Sequence, residues 1–270
     1  MGMHETTSSM STLSGARSQF HGQHLLVLGG TSGIGLATAR RVLAGGGSAT
    51  LVGRRPARAQ AAVAELGGLG DVEAFAHPLE SREALPELLR RIEARPPTLL
   101  VNAAGVFAPR SFLEHTPADY DSYLELNRTL FFATQQVAKN LVARQLAGAI
   151  VMIGSMWAHQ AVAATPSSAY SMAKAGLHAL TQHLAMELAR YRIRVNAVAP
   201  AVVHTTIYEG FIPADQVHAA LQGFNGFHPL GRIGQPEDIA ATVAHLLSNE
   251  ADWVTGAVWN VDGGVMAGRS

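Results

Sequence analysis

Short apolar runs alternate along this chain with longer stretches in which apolar positions recur every three or four residues. His24-Leu25-Leu26-Val27-Leu28 has the length of a buried parallel strand, and Gly29-Gly30-Thr31-Ser32-Gly33-Ile34-Gly35 and a helical pattern through Leu43 come directly after it. Residues 48–52, 72–76 and 98–101 read as the next strands, the last entering Asn102-Ala103-Ala104-Gly105. Helical spacing covers 80–94 and about 117–144, and residues 149–153 form a fifth strand that delivers Gly154-Ser155 at its carboxyl end. Pro236 opens a helix through about Leu247, with Glu237 and Asp238 in a first turn whose dipole favours negative charge. Residues 257–261 give a last strand. Strands alternating with helices predict an α/β fold with a doubly wound parallel sheet, which places its ligands outside the carboxyl ends of its strands.

Composition narrows the classes of function. The chain has 270 residues, 48% of them hydrophobic and only 15% charged, which predicts one domain with a large core and a surface partly covered by other subunits. Twenty basic residues balance twenty acidic ones without long blocks of either sign, so the partner expected is a small molecule rather than nucleic acid or a membrane. The absence of cysteine excludes disulfides, thiolate metal sites and cysteine nucleophiles. Twelve histidines are scattered without metal-ligand spacing. Residues 1–21 are rich in Ser and Thr, lack an apolar signal core and read as a disordered extension, with the catalytic domain over 22–270. A cytoplasmic protein is expected.

The glycine turn between the first strand and its helix has the arrangement that binds phosphate. Glycines admit a sharp bend and close approach, and the helix start offers free amides and positive charge. By itself such a loop also serves as a mere turn. After the second strand comes Gly53-Arg54-Arg55, where a fold preferring NAD carries a carboxylate for the ribose. The two guanidinium groups either grip a 2′-phosphate, favouring NADP over NAD, or begin a solvated helix.

Ser167-Ser168-Ala169-Tyr170-Ser171-Met172-Ala173-Lys174 sets a tyrosine and a lysine four residues apart, on one face if helical. An ordinary amphipathic pair has the same spacing. An ammonium roughly 6 Å from a phenolate, at an effective dielectric of about 20, stabilises the anion by about 3 kcal/mol, lowering a phenol pKa near ~10 by about two units. Such a phenol exchanges protons with a carbonyl or alcohol oxygen. Asn127, amid apolar neighbours in a long helix, needs partners; it either bonds a neighbouring backbone or anchors a water.

The motifs occur in an order that resembles the short-chain dehydrogenase/reductase family over nearly the whole length. They are the Gly29, Gly33, Gly35 turn, Asn102-Ala103-Ala104-Gly105, Asn127, Ser155, Tyr170 with Lys174, Arg194-Val195-Asn196 leading to Pro200, and Val261-Asp262-Gly263-Gly264. The resemblance implies a single-domain Rossmann-type sheet of about seven strands and a ketone or aldehyde interconverted with an alcohol by hydride transfer. It makes Tyr170 the proton donor or acceptor and Ser155 the partner of the reacting oxygen. Lys174 lowers the tyrosine pKa and holds the nicotinamide ribose, and Asn127 positions a water. It adds Thr31, Ser32, Ile34, Asn102, Ala103, Gly105, Pro200, Val203 and Thr205 to the turn glycines, Tyr170 and Lys174 as the cofactor's binding set, Thr205 on the carboxamide side. Three positions depart from the family pattern: Leu28 before the turn, His77-Pro78-Leu79 where an adenine-contacting aspartate is usual, and Ala201 after Pro200.

The loop from Ser155 to Tyr170 is wider than the family's usual one. With Ser155 and Tyr170, its Trp157 and His159 are candidate substrate contacts, although a lone loop histidine also serves as a solvated donor. Residues 202–227, with Tyr208, Phe211, Phe224 and Phe227, read as a lid or as packing contacts, and as a lid they suit a substrate with an apolar body. By the same resemblance a homotetramer is expected, with a homodimer as the other assembly, through the helices carrying Asn127 and Tyr170 and through the last strand. Two further functions share these features: a nucleotide-binding scaffold without turnover, and an isomerase acting through a transient ketone.

Overall fold

The computed structural model describes residues 19–163 and 165–268. Seven parallel strands form one sheet: β1 (His24–Leu28), β2 (Ser48–Gly53), β3 (Val72–Ala76), β4 (Leu99–Asn102), β5 (Gly148–Ile153), β6 (Ile193–Pro200) and β7 (Val258–Val261). Their order is β3-β2-β1-β4-β5-β6-β7, so the chain reverses direction across the sheet between β1 and β4. The crevice at that reversal is where such sheets bind ligands.

Side-chain alternation along the strands divides the core in two. Leu25 and Val27 face one layer with α1 (Gly33–Ala44), α2 (Pro56–Leu66) and α7 (Pro236–Leu247). Leu26 and Leu28 face the other layer with α3 (Leu85–Ala94), α4 (Pro117–Ala143) and α5 (Ser168–Leu188). Both faces being covered explains why the strands read as continuous apolar runs rather than as alternating ones. A short helix, α6 (Val217–Gln222), lies in the segment above the strand ends, together with single 3-10 turns over Thr206–Gly210 and Asn225–Phe227.

The observed elements correct two expectations and add two elements. The helix anticipated from residue 80 begins at Leu85, because Pro86 is tolerated only in a first turn and would break a helix already under way. The expected extension through residue 21 is too long: Phe20 is buried in the first core layer, where a Cβ on Gly45 would stand 2.7 Å from its ring. Residues 1–18 lie outside the described residues. Helix α2 and strand β6 were not drawn from the pattern. The motif Arg194-Val195-Asn196 belongs to β6.

That motif ties β6 to the end of α7 and to the start of β7. The half-buried Arg194 guanidinium donates to the carbonyls of Leu246 at 2.7 Å and Ser248 at 2.9 Å, satisfying the end of α7 that has no partner within the helix. Asn196 donates to the Val254 carbonyl at 2.8 Å and accepts from the Ala257 amide at 3.1 Å, setting the entry to β7. Among the described residues no helix is long and apolar enough to cross a membrane. Arg194→Met leaves these carbonyls without their donor and should lower the unfolding free energy by about 2–3 kcal/mol, seen as a lower urea midpoint; an unchanged midpoint refutes the role.

Candidate active site

The site forms where β5 and α5 converge. Ile153 ends β5, and its carbonyl accepts from the Lys174 ammonium at 2.7 Å. Ser155 comes two residues later, 3% exposed, and caps the 3-10 turn Met156–Ala158 by accepting from the Trp157 amide at 3.3 Å. Tyr170 precedes Lys174 by one turn of α5, and the ammonium lies 5.7 Å from its ring centroid. Asn127 of α4 donates through its side-chain amide to the Ala173 carbonyl at 2.9 Å, the backbone bond anticipated as one of its two roles.

The electrostatics differ from the sequence expectation. Burial pushes the Tyr170 phenol up to about 12, with the Ser155 hydroxyl acting the other way. Burial also brings the Lys174 ammonium down to about 8. The pair is desolvated together, so removal from water outweighs the Coulombic lowering of the phenol anticipated from spacing alone. In this state Tyr170 keeps its proton at neutral pH.

A cleft of about 360 Å³ runs from the glycine turn to Tyr170 and Lys174. Its walls hold Gly29, Thr31, Ser32, Gly33, Ile34, Gly35, Arg54, Arg55, Ala103, Gly105, Pro200, Val203 and Thr205 of the predicted set. Asn102 is different: fully buried behind the wall, it donates to the Thr134 hydroxyl at 2.8 Å and braces β4 against α4. The cleft fits a dinucleotide on several counts. A Cβ on Gly29 would stand 2.5 Å from the Ala104 amide, one on Gly35 would stand 2.3 Å from the Gly29 carbonyl, and Gly33 has φ +54°. Ser32, the N-cap of α1, makes no capping bond, and no carboxylate occupies the first turn, so the amides there are left for an anion. A Cβ on Gly105 would come within 4.0 Å of the Lys174 ammonium. At the mouth stand Arg54, Arg55 and Arg58. Leu79 and Glu80 line the same wall, the His77 imidazole is buried with Nε2 unpartnered among the described residues, and no aspartate occurs in His77-Pro78-Leu79.

A second chamber of about 260 Å³ meets the cleft at Ser155 and Tyr170. Phe107, Trp157, Ile207, Tyr208, Phe211 and Phe224 are among the residues of its wall, and no charged side chain lines it among the described residues. Phe107 packs edge-on to Tyr170 with ring centroids 4.9 Å apart, and its loop is held by Tyr123, whose hydroxyl accepts from the Ala108 amide at 3.0 Å. Trp157 is 8% exposed, and its indole N–H has no partner among the described residues.

His159 does not line this chamber. Its ring stacks obliquely on that of His178 with centroids 4.7 Å apart, beside the chamber rather than in its wall, where it was expected as a substrate contact. His178 itself escaped the sequence reading. It lies one turn beyond Lys174, accepts from the Ser155 amide through Nε2 at 3.4 Å and fills the space above Gly154. Burial and the neighbouring His159 and Lys174 hold it down to about 4, so the ring is a neutral acceptor. Its spacing from Tyr170 and Lys174, another four residues along the same helical face, was the available signal. Phe107 and Arg58 were also missed; the first lies just past a strand end, and the second lies one turn beyond Arg54 on a helix that was not drawn.

A family model described as Enoyl-(Acyl carrier protein) reductase matches residues 29–266. The human L-xylulose reductase is 35% identical over 247 residues, covering 91% of this chain and 97% of that protein. A solved short chain dehydrogenase/reductase family protein superposes with a TM-score of 0.82 at 32% identity, covering 93% of this chain and 100% of the other. A putative 2-deoxy-d-gluconate 3-dehydrogenase from Agrobacterium tumefaciens, solved with bound NADP, superposes with a TM-score of 0.79 at 32% identity over 94% of this chain and 99% of that one. Fold, motif order and these matches agree: the chain belongs to the short-chain dehydrogenase/reductase family, oxidoreductases that act on alcohol and carbonyl groups.

Proposed function

We propose that this protein is an NADP-dependent oxidoreductase in which Tyr170 passes a proton to or from the oxygen of a carbonyl or alcohol substrate. The observation that carries the reading is the meeting of Ser155, Tyr170 and Lys174 where the cleft opens into the apolar chamber. A bound nicotinamide supplies the hydride chemistry, and the chain's own residues bind, orient and manage one proton. Residues of the glycine turn and the start of α1 would hold the pyrophosphate, with Arg54 and Arg55 at the 2′-phosphate. Lys174, Asn102 to Gly105, Pro200, Val203 and Thr205 would serve the nicotinamide side, Asn102 through the wall it braces.

In reduction, the Ser155 and Tyr170 hydroxyls donate to the carbonyl oxygen, and the tyrosine releases its proton as negative charge develops there. A phenol held near 12 suits this step, because an alkoxide is more basic still. The phenolate left behind is stabilised by the Lys174 ammonium, so the lysine matters most after the proton has moved. Oxidation runs the same exchange backward, with the phenolate as base. The uncharged, aromatic chamber supports a neutral substrate with an apolar body.

Apolar side chains on the outer faces of the two site-bearing helices, Phe131 on α4 and Met172 and Met186 on α5, support assembly through those helices as a homotetramer.

Tyr170→Phe should lower kcat for carbonyl reduction by about a hundred- to ten-thousandfold, while fluorescence titration still finds NADPH bound more tightly than NADH. Retained turnover would sink the role of the phenol, and equal affinities would sink the NADP preference. The reduction rate should be level below neutrality and fall as pH rises through about 8, where Lys174 loses the charge that supports the phenolate. A profile that stays level to the alkaline limit of stability contradicts this assignment. Sedimentation velocity at micromolar protein should find a tetramer, and a monomer refutes the assembly.

A further inference from the structure

Two of the arginines at the mouth of the cofactor cleft are already paired with a carboxylate. Glu209 belongs to the 3-10 turn Thr206–Gly210, which closes over the cleft from the lid, whereas Arg55 and Arg58 stand at the start of α2 on the opposite side. The Glu209 Oε2 accepts from Arg58 Nη2 at 2.6 Å and lies 3.5 Å from Arg55 Nη1. One carboxylate oxygen shared by two guanidinium groups reproduces the way such groups hold a phosphate oxygen. The glutamate side chain is only 21% exposed and that of Arg58 31%, so the contact is partly shielded from solvent.

The charges impose a competition. Arg54 is similarly engaged by Glu80 at 3.3 Å, leaving three guanidinium groups and two carboxylates around the place where a 2′-phosphate would lie. A phosphate entering there meets Glu209 as a like charge and must draw Arg55 or Arg58 away from it. The turn is tied to the cleft elsewhere too, since the Thr206 and Ser32 hydroxyls hydrogen-bond at 3.1 Å, and its Ile207 and Tyr208 form part of the substrate chamber's wall. A negative group that takes the arginines therefore also loosens the lid from α2.

We propose that Glu209 is a coenzyme-discriminating residue, an internal anion that competes with the 2′-phosphate for Arg55 and Arg58 and restrains the selectivity these arginines confer. The inference rests on the reading of the arginines as a 2′-phosphate site. Its effect appears in the affinity ratio between two ligands that differ only by that phosphate.

Calorimetric titration of the full chain with adenosine 2′,5′-bisphosphate and with 5′-AMP, at one low ionic strength, measures the ratio. In the native protein it should favour the bisphosphate. Glu209→Gln keeps the shape of the side chain and removes its charge, and should raise the ratio about three- to tenfold. Adding Arg55→Gln and Arg58→Gln together should shrink that gain, because both groups competed for are gone. A native ratio above one that Glu209→Gln leaves unchanged or lowers overturns the competition while the NADP reading stands. A native ratio of one that rises in Glu209→Gln overturns the NADP preference and supports the competition. Ratios of one in both proteins overturn both.

Discussion

The Lys174 ammonium, buried at the end of β5 and donating to the Ile153 carbonyl, is the contact to which the rest of the site is referred. It fixes α5 against β5 at the point where that strand stops being sheet and becomes active-site loop. Ser155 then lies two residues from the acceptor and Tyr170 one helical turn from the donor, so a single bond sets the relation between them. The arrangement has an energetic cost that is visible in the protonation equilibria. The carbonyl offers a dipole, not a counter-charge, and the remaining desolvation brings the lysine down and the neighbouring phenol up. Both groups are thereby placed where addition of charge nearby has the greatest effect on them.

Much of the fold was legible because parallel strands buried on both faces leave an unbroken apolar signature, and because helices announce their starts. The run at residues 24–28 and the prolines at the heads of α4 and α7 are cases in which local chemistry and tertiary position agree. Helix α2 was harder to see. Its apolar side is mostly alanine, and only Ala59, Ala62 and Leu66 are buried, so the contrast between its faces is low. Strand β6 was hidden by the polar Arg194 and Asn196 within it, whose partners are backbone groups far along the chain.

The site was legible in the same uneven way. Tyr170 and Lys174 share a helix face, and spacing along one helix can be read directly. The protonation of the pair could not be, since it depends on which groups from β5 and from the segment after β6 exclude water. His159 shows the limit of reading a loop: proximity in sequence to Ser155 suggested a place in the chamber, but the packing partner that decides its direction, His178, lies on another element. Phe107 and Tyr208 border both the cleft and the apolar chamber, which makes the aromatic wall a partition as well as a surface.

The tight fit between Gly154 and His178 has a consequence for how this sequence can drift. A Cβ at 154 would stand 1.9 Å from Nε2 of the imidazole, and the same nitrogen accepts the Ser155 amide. The two positions therefore form one unit of inheritance. A side chain at 154 requires the imidazole to swing away or 178 to become smaller, and either change withdraws the acceptor from the serine amide. Relatives that carry a larger residue at the first position are expected to carry a compact one at the second, and to support their serine by some other means.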